Sequence, residues 1–251
     1  MSELIEKSVI ITGASSGIGR ACAYACSKHG AHIHLIGRNT DALKAILADI
    51  NRGGNSWHYA DMRKPDEFEV TVNNIVEAYG RIDGFVHSAG YQITSPVASM
   101  RVEQYLDNYL VNVLSAFELI RLLTRRKVAS ERGLSAVLIS SVMSVAANAG
   151  LTSYCATKAA LVGGARAMAV EFARKNIRVN CVSPGTVADT DMTVKLQEQL
   201  SEQEFAAIVG EYPMGLGSTD DIAQMCVYLL SDNAKWITGQ NYIIDGGYSI
   251  K

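Results

Sequence analysis

The residues best suited to chemistry are Tyr154 and Lys158, which lie four positions apart in an alanine-rich segment with helical character. Residues four apart share one face of a helix, so the two side chains point the same way. A phenol titrates near pH ~10 in isolation, and a fixed ammonium beside it favours the phenolate. The spacing predicts a general acid/base that works nearer neutrality. Ser141, just after the apolar run 136–139, is placed to hydrogen-bond the same substrate oxygen.

The same spacing occurs a second time, at Tyr24 and Lys28, and provides an internal control. These two residues fall on the opposite side of their helix from its apolar stripe, which is the side that packs inward. The stripe consists of Ile18, Ala21, Cys22, Ala25 and Cys26. We interpret Tyr24 and Lys28 as a solvated face, whereas Tyr154 follows a buried strand that ends in two serines.

The composition indicates one globular α/β domain that spans residues 1–251. Hydrophobic residues make up 48% of the chain and charged residues 19%, and the formal net charge is −2. This balance gives no electrostatic reason to expect nucleic acid or an anionic membrane surface as a partner. No apolar run reaches the roughly 20 residues needed to cross a bilayer, and the start lacks the layout of a signal peptide. The sequence therefore predicts a cytoplasmic enzyme.

The cysteines and histidines give no indication of a metal site. The five cysteines form no C-x-x-C pair, and the five histidines show no ligand spacing. Cys22 and Cys26 lie on the inward helical stripe, where cysteine behaves as a small hydrophobic residue. We predict core packing for the cysteines and no structural metal.

A glycine-rich turn follows the first predicted strand, residues 7–12, and leads directly into a helix. Glycines permit a tight turn and a close backbone approach, so a pyrophosphate can rest on the positive helix N-terminus. A turn of this kind can also be a plain strand–helix connection, but the strand before it and the amphipathic helix after it favour a nucleotide. The turn residues expected to hold a cofactor are Gly13, Ser15, Ser16, Gly17, Ile18 and Gly19.

The second predicted strand, 31–36, ends in Gly37, Arg38 and Asn39. In dinucleotide folds an acidic residue near this point binds the ribose hydroxyls, whereas a basic one suits a 2′-phosphate. Arginine matches a phosphate bidentately. The alternative is an exposed arginine at a strand–helix junction. We predict that Arg38 and Asn39 face the cofactor and that NADP(H) is favoured over NAD(H).

Two more predicted strands, 56–60 and 82–86, are each followed by residues expected at the carboxyl edge of the sheet. The first leads to Asp61 and Met62, which are placed to touch an adenine; alternatively, Asp61 caps the helix that starts near Pro65. The second leads to Ser88, Ala89 and Gly90. The alternation of strands and helices predicts a parallel sheet covered on both faces, with ligand outside the carboxyl ends of its strands.

Three longer segments complete the sequence. A helix at about 101–127 contains Asn112, which either acts at the site or packs between helices with its amide satisfied locally. The helix that carries Tyr154 runs to about residue 175 and is apolar on nearly every side, so we expect a partner subunit in a symmetric dimer or tetramer. Residues 186–217 break the regular alternation as a long irregular excursion, which is typical of a substrate lid.

Taken together, these motifs resemble the short-chain dehydrogenase/reductase family, in its compact single-domain branch, which includes 3-oxoacyl-carrier-protein reductases. The resemblance covers about residues 7–248 and is highly specific because the motifs share order and spacing. It implies a Rossmann-type, doubly wound seven-stranded parallel sheet in the order 3-2-1-4-5-6-7, a nicotinamide cofactor and a homotetramer. The matching pieces are T-G-A-S-S-G-I-G at 12–19, S-A-G at 88–90, Asn112, Ser141, Y-C-A-T-K at 154–158, R-V-N at 178–180, P-G at 184–185 and D-G-G at 245–247.

The resemblance also implies a role for each matching residue. Tyr154 protonates the carbonyl oxygen, and Ser141 orients and polarises that carbonyl. Lys158 bonds the nicotinamide ribose and lowers the pKa of the tyrosine, while Asn112 holds a water that links Lys158 to solvent. The segment that contains Pro184, Gly185 and Val187 is expected against the cofactor.

Two stretches depart from the family pattern. The family often has N-N-A-G where this chain has His87 and Ser88 before Ala89 and Gly90, so serine replaces one asparagine contact. The stretch after Gly185 is one residue longer than usual, and Thr190 is therefore not assigned to the site.

These observations predict an NADPH-dependent oxidoreductase that reduces a ketone to a secondary alcohol. The substrate is expected to be a neutral or modestly polar small molecule bounded by residues 91–93, 144–151 and 192–214, with a 3-oxoacyl thioester as one candidate. The alternatives are an NAD-dependent alcohol dehydrogenase acting oxidatively and, less favoured, a non-catalytic nucleotide-binding sensor on the same fold.

Overall fold

A computed structural model of the chain describes residues 3–251, so the first two residues of the predicted 1–251 domain lie outside the described part. Seven strands are present in it, namely β1 Ser8–Thr12, β2 His32–Gly37, β3 Ser56–Tyr59, β4 Gly84–His87, β5 Leu134–Ile139, β6 Ile177–Pro184 and β7 Asn241–Ile244. The α-helices are α1 Gly17–Lys28, α2 Thr40–Ile50, α3 Phe68–Tyr79, α4 Val102–Tyr109, α5 Ser115–Leu123, α6 Thr152–Phe172, α7 Asp191–Gln199, α8 Glu202–Gly210 and α9 Thr219–Leu230.

The strands form one parallel sheet in the order β3-β2-β1-β4-β5-β6-β7, which confirms the predicted topology. In the register of the sheet, Thr12 at the end of β1 lies opposite Ile36 of β2 and His87 of β4. The carboxyl ends of the central strands are therefore level, and the loops that follow them share one edge.

Alternating strand residues pack on opposite faces of the sheet, because successive side chains of a strand point to opposite sides. Ile10 and Phe85 belong to a core beneath α3, α5 and α6, whereas Ile11 and Val86 belong to a core beneath α1, α2 and α9. The central strands β1, β4 and β5 are buried on both faces, as is usual for parallel sheets, whereas the edge strands β3 and β7 are partly exposed. The two layers of helices hold the sheet edge in place.

The predicted helix at 101–127 is shorter and less regular than expected. It begins at Val102, changes to a π-helix over Leu110–Leu114 and ends at Leu123. Asn112 lies in the middle of this π-helical segment and is fully buried. Single π-helical turns inside α-helices are frequent at functional sites. The π-helical turn in this chain contains Asn112, which the sequence analysis names as a candidate site residue.

Residues 186–217 are not the irregular excursion that the sequence predicts, since they contain α7 and α8. The Thr190 side chain caps α7, and Ser201 forms a capping box with Glu204 at the start of α8. These helices bury little: α8 has no buried residue, and the Met192 side chain is half-exposed. Such weakly anchored helices lack the apolar stripe that makes a helix recognisable in a sequence.

The helix that carries Tyr154 runs over the predicted length and continues as a 3-10 turn at Ala173–Lys175. Although its composition is apolar on nearly every side, α6 is not buried on every side within one chain. Val170 is 81% exposed, and an added Cβ at Gly163 would meet no atom within 4 Å. The side of α6 that carries these residues is therefore free in the single chain.

Two smaller predictions about α1 are confirmed. Tyr24 and Lys28 lie on the outer side of α1, where the Tyr24 hydroxyl donates to Asp49 at 2.8 Å. Cys22 and Cys26 are fully buried in the core beneath α1. Within residues 3–251, none of the helices is both long enough and apolar enough to span a membrane.

His34 on β2 is buried between the neighbouring strands and joins them. Its Nε2 pairs with the Ser8 hydroxyl of β1 at 2.9 Å, and its Nδ1 pairs with the Ser56 hydroxyl of β3 at 2.8 Å. Burial lowers the pKa of His34 from its ordinary 6.5 to about 3, because the charged ring would lose its hydration. The neutral ring is therefore the form that fits the sheet.

This burial predicts a loss of stability in acid. Because the pKa of His34 is lower in the folded state, its contribution is complete above pH 6.5 and is lost as the pH falls towards 3. Between pH 6.5 and 4.5 the loss attributable to His34 is about 2 kcal/mol. Urea unfolding at the two pH values should show a smaller difference for His34→Gln than for the wild type. Equal pH dependence of the two proteins would contradict this.

Candidate active site

The turn after β1 packs directly against the turn after β4. Gly13 has φ +64°, and an added Cβ would lie 2.7 Å from the main-chain nitrogen of Ala89. An added Cβ at Gly19 would lie 2.2 Å from the Gly13 carbonyl oxygen. Both positions therefore require glycine, for close approach at Gly19 and for both close approach and a left-handed backbone at Gly13.

The N-terminus of α1 faces this edge without a side-chain cap. Ser16 is the N-cap residue, and its hydroxyl forms no capping hydrogen bond. The first amides of a helix need a partner from outside the helix, and an anion is a suitable one. Gly17, the first residue of α1, has φ +50°. An added Cβ there would meet only the Thr190 side chain, at 3.6 Å. Ser15, Ser16 and Ile18 lie in this turn and the first turn of the helix, as the sequence predicts.

At the end of β2, Arg38 and Asn39 are both exposed at the same edge of the sheet. Asn39 is the N-cap of α2, and its Oδ1 accepts from the Ala42 amide at 3.1 Å. The guanidinium of Arg38 makes no hydrogen bond or ion pair with any residue in the range 3–251, and only its main-chain carbonyl has a partner, the Thr40 amide. Its guanidinium is therefore available to a ligand, whereas the Asn39 oxygen already has a local partner.

Asp61 and Met62 follow β3, and Met62 is buried. The suggestion that Asp61 caps a helix near Pro65 is wrong, because Lys64 is the N-cap of the 3-10 turn Pro65–Glu67. Asp61 instead closes its own turn: its Oδ1 accepts from the Arg63 amide at 3.0 Å. Short side chains of this type commonly bond the backbone two residues on.

The segment that follows β4 is tied to β1. The Ser88 amide donates to the Thr12 carbonyl at 3.3 Å, and the Ala89 amide donates to the Thr12 hydroxyl at 3.4 Å. His87, where the family often has asparagine, pairs with the same hydroxyl through Nδ1 at 3.0 Å. Burial, together with a smaller effect of the Lys158 charge, lowers the pKa of His87 to about 3. The neutral imidazole thus fixes the turn that leads to Gly90.

Gly90 lies between two of the predicted catalytic side chains. An added Cβ there would be 3.1 Å from Asn112 Oδ1 and 3.5 Å from Lys158 Nζ. Asn112 Oδ1 accepts from the Tyr91 amide at 3.0 Å, and Nδ2 donates to the Tyr91 carbonyl at 3.0 Å and to the Thr157 hydroxyl at 3.1 Å. The local hydrogen bonds expected of a helix-packing asparagine are therefore all present.

Lys158 is buried, and its ammonium is held by the strand that precedes it. Nζ donates to the carbonyl oxygen of Ile139, the last residue of β5, at 2.8 Å. The Ser140 hydroxyl in turn donates to the Lys158 carbonyl at 2.8 Å, so α6 and β5 are joined twice. Burial lowers the pKa of Lys158 to about 8, because the charged form is poorly solvated.

Tyr154 is 9% exposed and packs in a small cluster with Val142, Met143 and Leu151. Burial raises the pKa of its phenol, and contact with the Ser141 hydroxyl partly offsets that rise. Lys158 Nζ lies over the ring, 5.5 Å from its centroid. The expectation that the ammonium lowers the phenol pKa therefore does not hold in the protein alone, since the cation contacts the ring face and a main-chain carbonyl.

The predicted residues at the end of β6 lie where residues 186–217 begin. The Gly185 amide donates to the Ile244 carbonyl at 2.9 Å, directly after Pro184 ends the strand. Val187 is buried and pairs with Gly217, which brings the two ends of residues 186–217 together. This segment is thus anchored at both ends beside the sheet edge.

Known proteins share this arrangement over the whole chain. A family model described as enoyl-(acyl carrier protein) reductase matches residues 13–249. The 3-oxoacyl-(acyl-carrier-protein) reductase FabG of Chlamydia muridarum is 33% identical over 98% of each chain. The NAD-dependent glycerol dehydrogenase of Listeria innocua is 34% identical over 99% of this chain and 96% of its own. An actinorhodin polyketide ketoreductase crystallised with NADPH has a TM-score of 0.92 and 28% identity over the full length of both chains.

The chain belongs to the short-chain dehydrogenase/reductase family. It is an oxidoreductase that acts on CH–OH or C=O groups, and it uses a nicotinamide cofactor. The turn after β1 fits such a cofactor, because the first amides of α1 have no side-chain cap and are left for a phosphate.

The structure of this reductase also contains site residues that the sequence analysis missed. Thr190, left unassigned because of its spacing, lies against Gly17 of the cofactor turn. Thr157, which the sequence analysis did not assign although it is part of the Y-C-A-T-K motif, binds Asn112. Asn112 is also bound by Tyr91, which the sequence analysis placed beside the substrate and not beside Asn112.

The contact between the two turns predicts that Gly13→Ala weakens the binding of the cofactor. A Cβ at 2.7 Å from a main-chain nitrogen with a positive φ forces the turn to shift. We expect the Kd for NADPH, measured by calorimetry, to rise at least ~10-fold, since the strain amounts to about 1–3 kcal/mol before the clash is counted.

The matched control is Gly53→Ala, because an added Cβ at this exposed glycine would meet nothing within 4 Å. Circular dichroism establishes that both variants fold. A Gly13→Ala protein with wild-type melting temperature and wild-type affinity would contradict the assignment of this turn.

Proposed function

We propose that this enzyme reduces a ketone to a secondary alcohol with NADPH. The supporting observation is the meeting of Ser141, Tyr154, Lys158 and Asn112 beside the glycine turn, at the carboxyl edge of the sheet. The relatives named as 3-oxoacyl reductases and as a ketoreductase perform the same class of reaction. The bound nicotinamide supplies the hydride.

Tyr154 is suited to act as the acid of this reaction. Its raised pKa keeps the phenol protonated at neutral pH, so the proton is present when the carbonyl oxygen gains charge. The Ser141 hydroxyl already contacts this tyrosine, which lets both groups address one substrate oxygen. Positioned hydrogen-bond donors of this kind stabilise negative charge as it develops.

Lys158 is suited to hold a sugar hydroxyl of the cofactor and to raise the acidity of Tyr154 during the reaction. Its pKa near 8 leaves the ammonium charged at neutral pH, and a small movement from the ring face would bring it towards the phenol oxygen. We assign the lowering of the phenol pKa, which the protein alone lacks, to this rearrangement. Positioning and electrostatics are the protein's usual part in cofactor chemistry.

Arg38 supports NADPH as the cofactor, because its exposed guanidinium follows β2 where a 2′-phosphate would lie. The runner-up function is an NAD-dependent dehydrogenase that oxidises an alcohol. The glycerol dehydrogenase of Listeria innocua, which is named as NAD-dependent, favours that second candidate.

We further propose that residues 186–217 close over the substrate and that the chain forms a homodimer or homotetramer in the cytoplasm, without nucleic acid or membrane partners. Tyr212 supports the lid assignment. Its ring stacks on Tyr248 and its hydroxyl forms a hydrogen bond with Thr186, so the C-terminal part of this segment is attached beside the sheet edge. The exposed small residues and Val170 on α6 support an oligomer.

The acid role predicts that Tyr154→Phe removes turnover but not cofactor binding. We expect kcat for a ketone to fall by about 10²–10⁴, the usual contribution of a positioned acid, while the Kd for NADPH changes less than about threefold. NADPH oxidation measures the first and fluorescence titration the second. Tyr24→Phe is the control, because Tyr24 has the same spacing to a lysine on a solvated face. A variant that retains turnover would contradict catalysis by Tyr154 and favour a binding protein.

The assignment of Arg38 to the cofactor site predicts that Arg38→Ala weakens the binding of NADPH but not that of NADH. Loss of a bidentate phosphate contact should raise the Kd for NADPH roughly 10- to 100-fold, corresponding to about 1.5–3 kcal/mol, and leave that for NADH unchanged. Arg52→Ala removes the same charge from a residue paired with Glu6 and serves as the control. An unchanged ratio of the two affinities would instead favour the NAD-dependent dehydrogenase.

A further inference from the structure

A set of polar side chains outside the catalytic residues converges on Tyr91, the residue directly after Gly90. The Tyr91 carbonyl accepts from two amides, Nδ2 of Asn108 and Nδ2 of Asn112, each at 3.0 Å. The Tyr91 amide donates to Asn112 Oδ1. Asn108 is held in turn by the Ser153 hydroxyl, which donates to its Oδ1 at 2.9 Å. The position of the Tyr91 main chain thus sets the orientation of Asn112.

The side chain of Tyr91 is fixed separately, by Asp107 on α4. The Tyr91 hydroxyl donates to Asp107 Oδ2. Arg63 binds the same carboxylate bidentately, with Nε to Oδ1 at 2.7 Å and Nη2 to Oδ2 at 2.9 Å. The Arg63 guanidinium also lies over the Tyr91 ring, 5.6 Å from its centroid. Asp107 is therefore the shared partner of an arginine and a tyrosine.

Arg63 connects this set to the far end of the cofactor edge. Its amide donates to Asp61 Oδ1, and its guanidinium lies 3.9 Å from the same carboxylate. Asp61 follows β3, and Tyr91 follows β4 beside Asn112 and Lys158. The chain Asp61–Arg63–Asp107–Tyr91–Asn112 consequently spans the sheet edge from the end of β3 to the catalytic residues.

We propose that Asp107 is a positioning residue for the reaction. It holds Tyr91, and through Tyr91 it holds Asn112, in one position relative to the turn that carries Asp61. Asp107 touches neither substrate nor cofactor in this assignment. This inference rests on the proposed carbonyl reduction, because the alignment that it describes serves Asn112 and Lys158.

The geometry distinguishes this arrangement from an ordinary surface ion pair. An exposed pair contributes little to stability and has no reason to alter turnover. Asp107 instead receives three hydrogen bonds from two residues, and one of these residues is bonded through its main chain to Asn112. Arg63 is the largest cause of the lowered pKa of Asp107, so the carboxylate stays charged at neutral pH.

The test is Asp107→Ala, and Glu69→Ala is its matched control. Glu69 accepts two hydrogen bonds from Arg125 in a bidentate pair of comparable exposure, which joins α3 to the turn after α5, away from the site. We expect Asp107→Ala to lower kcat about tenfold while the Kd for NADPH changes less than about threefold. The melting temperatures of the two variants should be similar. Tyr91→Phe should reproduce the loss in kcat, because it removes the hydroxyl that Asp107 binds.

A second measurement does not depend on activity. Hydrogen–deuterium exchange of the Tyr91 amide, followed by mass spectrometry on a peptide that contains it, reports its bond to Asn112. We expect exchange at least about tenfold faster in Asp107→Ala and unchanged in Glu69→Ala. Asp107→Glu, which retains the charge, should restore most of the protection.

The outcomes separate the inference from the proposed function. Unchanged exchange at Tyr91, or equal kcat for Asp107→Ala and Glu69→Ala, would overturn the positioning role. Faster exchange in a protein whose wild type reduces no ketone would support the structural link and overturn the proposed reaction instead.

Discussion

The site depends on one buried ammonium. Lys158 lies where water cannot solvate it fully, and such a charge is costly unless it has hydrogen-bond partners. The carbonyl of Ile139 provides one, because β5 ends at that residue and turns its last oxygen towards α6. Since the Ser140 hydroxyl returns a bond to the Lys158 carbonyl, strand and helix hold each other in register. Tyr154 and Ser141 are placed by the same two elements.

The two tyrosine–lysine pairs of this chain show that spacing alone does not make a catalytic pair. Tyr24 and Lys28 have the same separation on a helix, yet Tyr24 is 37% exposed and bonds Asp49. Tyr154 and Lys158 differ because the carboxyl edge of the sheet surrounds them. In this surrounding the phenol becomes less acidic and the ammonium more acidic than in water. Burial therefore moves the two pKa values apart, and the helix contributes the geometry of the pair.

The sequence predicts those parts of the molecule in which a local pattern has a local cause. The parallel sheet and the glycine turn follow from the alternation of strands and helices and from φ requirements, whereas the strand order was implied by the family resemblance. The helices of the lid were missed because α8 buries no residue and so has no apolar stripe. The capping box of α8, Ser201 with Glu204, could nevertheless be recognised in the sequence. The raised phenol pKa of Tyr154 could not be predicted, because it depends on residues brought together only by folding.

Asn112 shows how structural and chemical demands meet in one side chain. Its amide nitrogen has two hydrogens, and both are donated, one to the Tyr91 carbonyl and one to the Thr157 hydroxyl. Its oxygen has two lone pairs, and the Tyr91 amide occupies one of them. A water bound by this side chain must therefore donate to that oxygen rather than accept from the amide. The packing of Asn112 therefore leaves one lone pair of its oxygen for the water that the family resemblance implies.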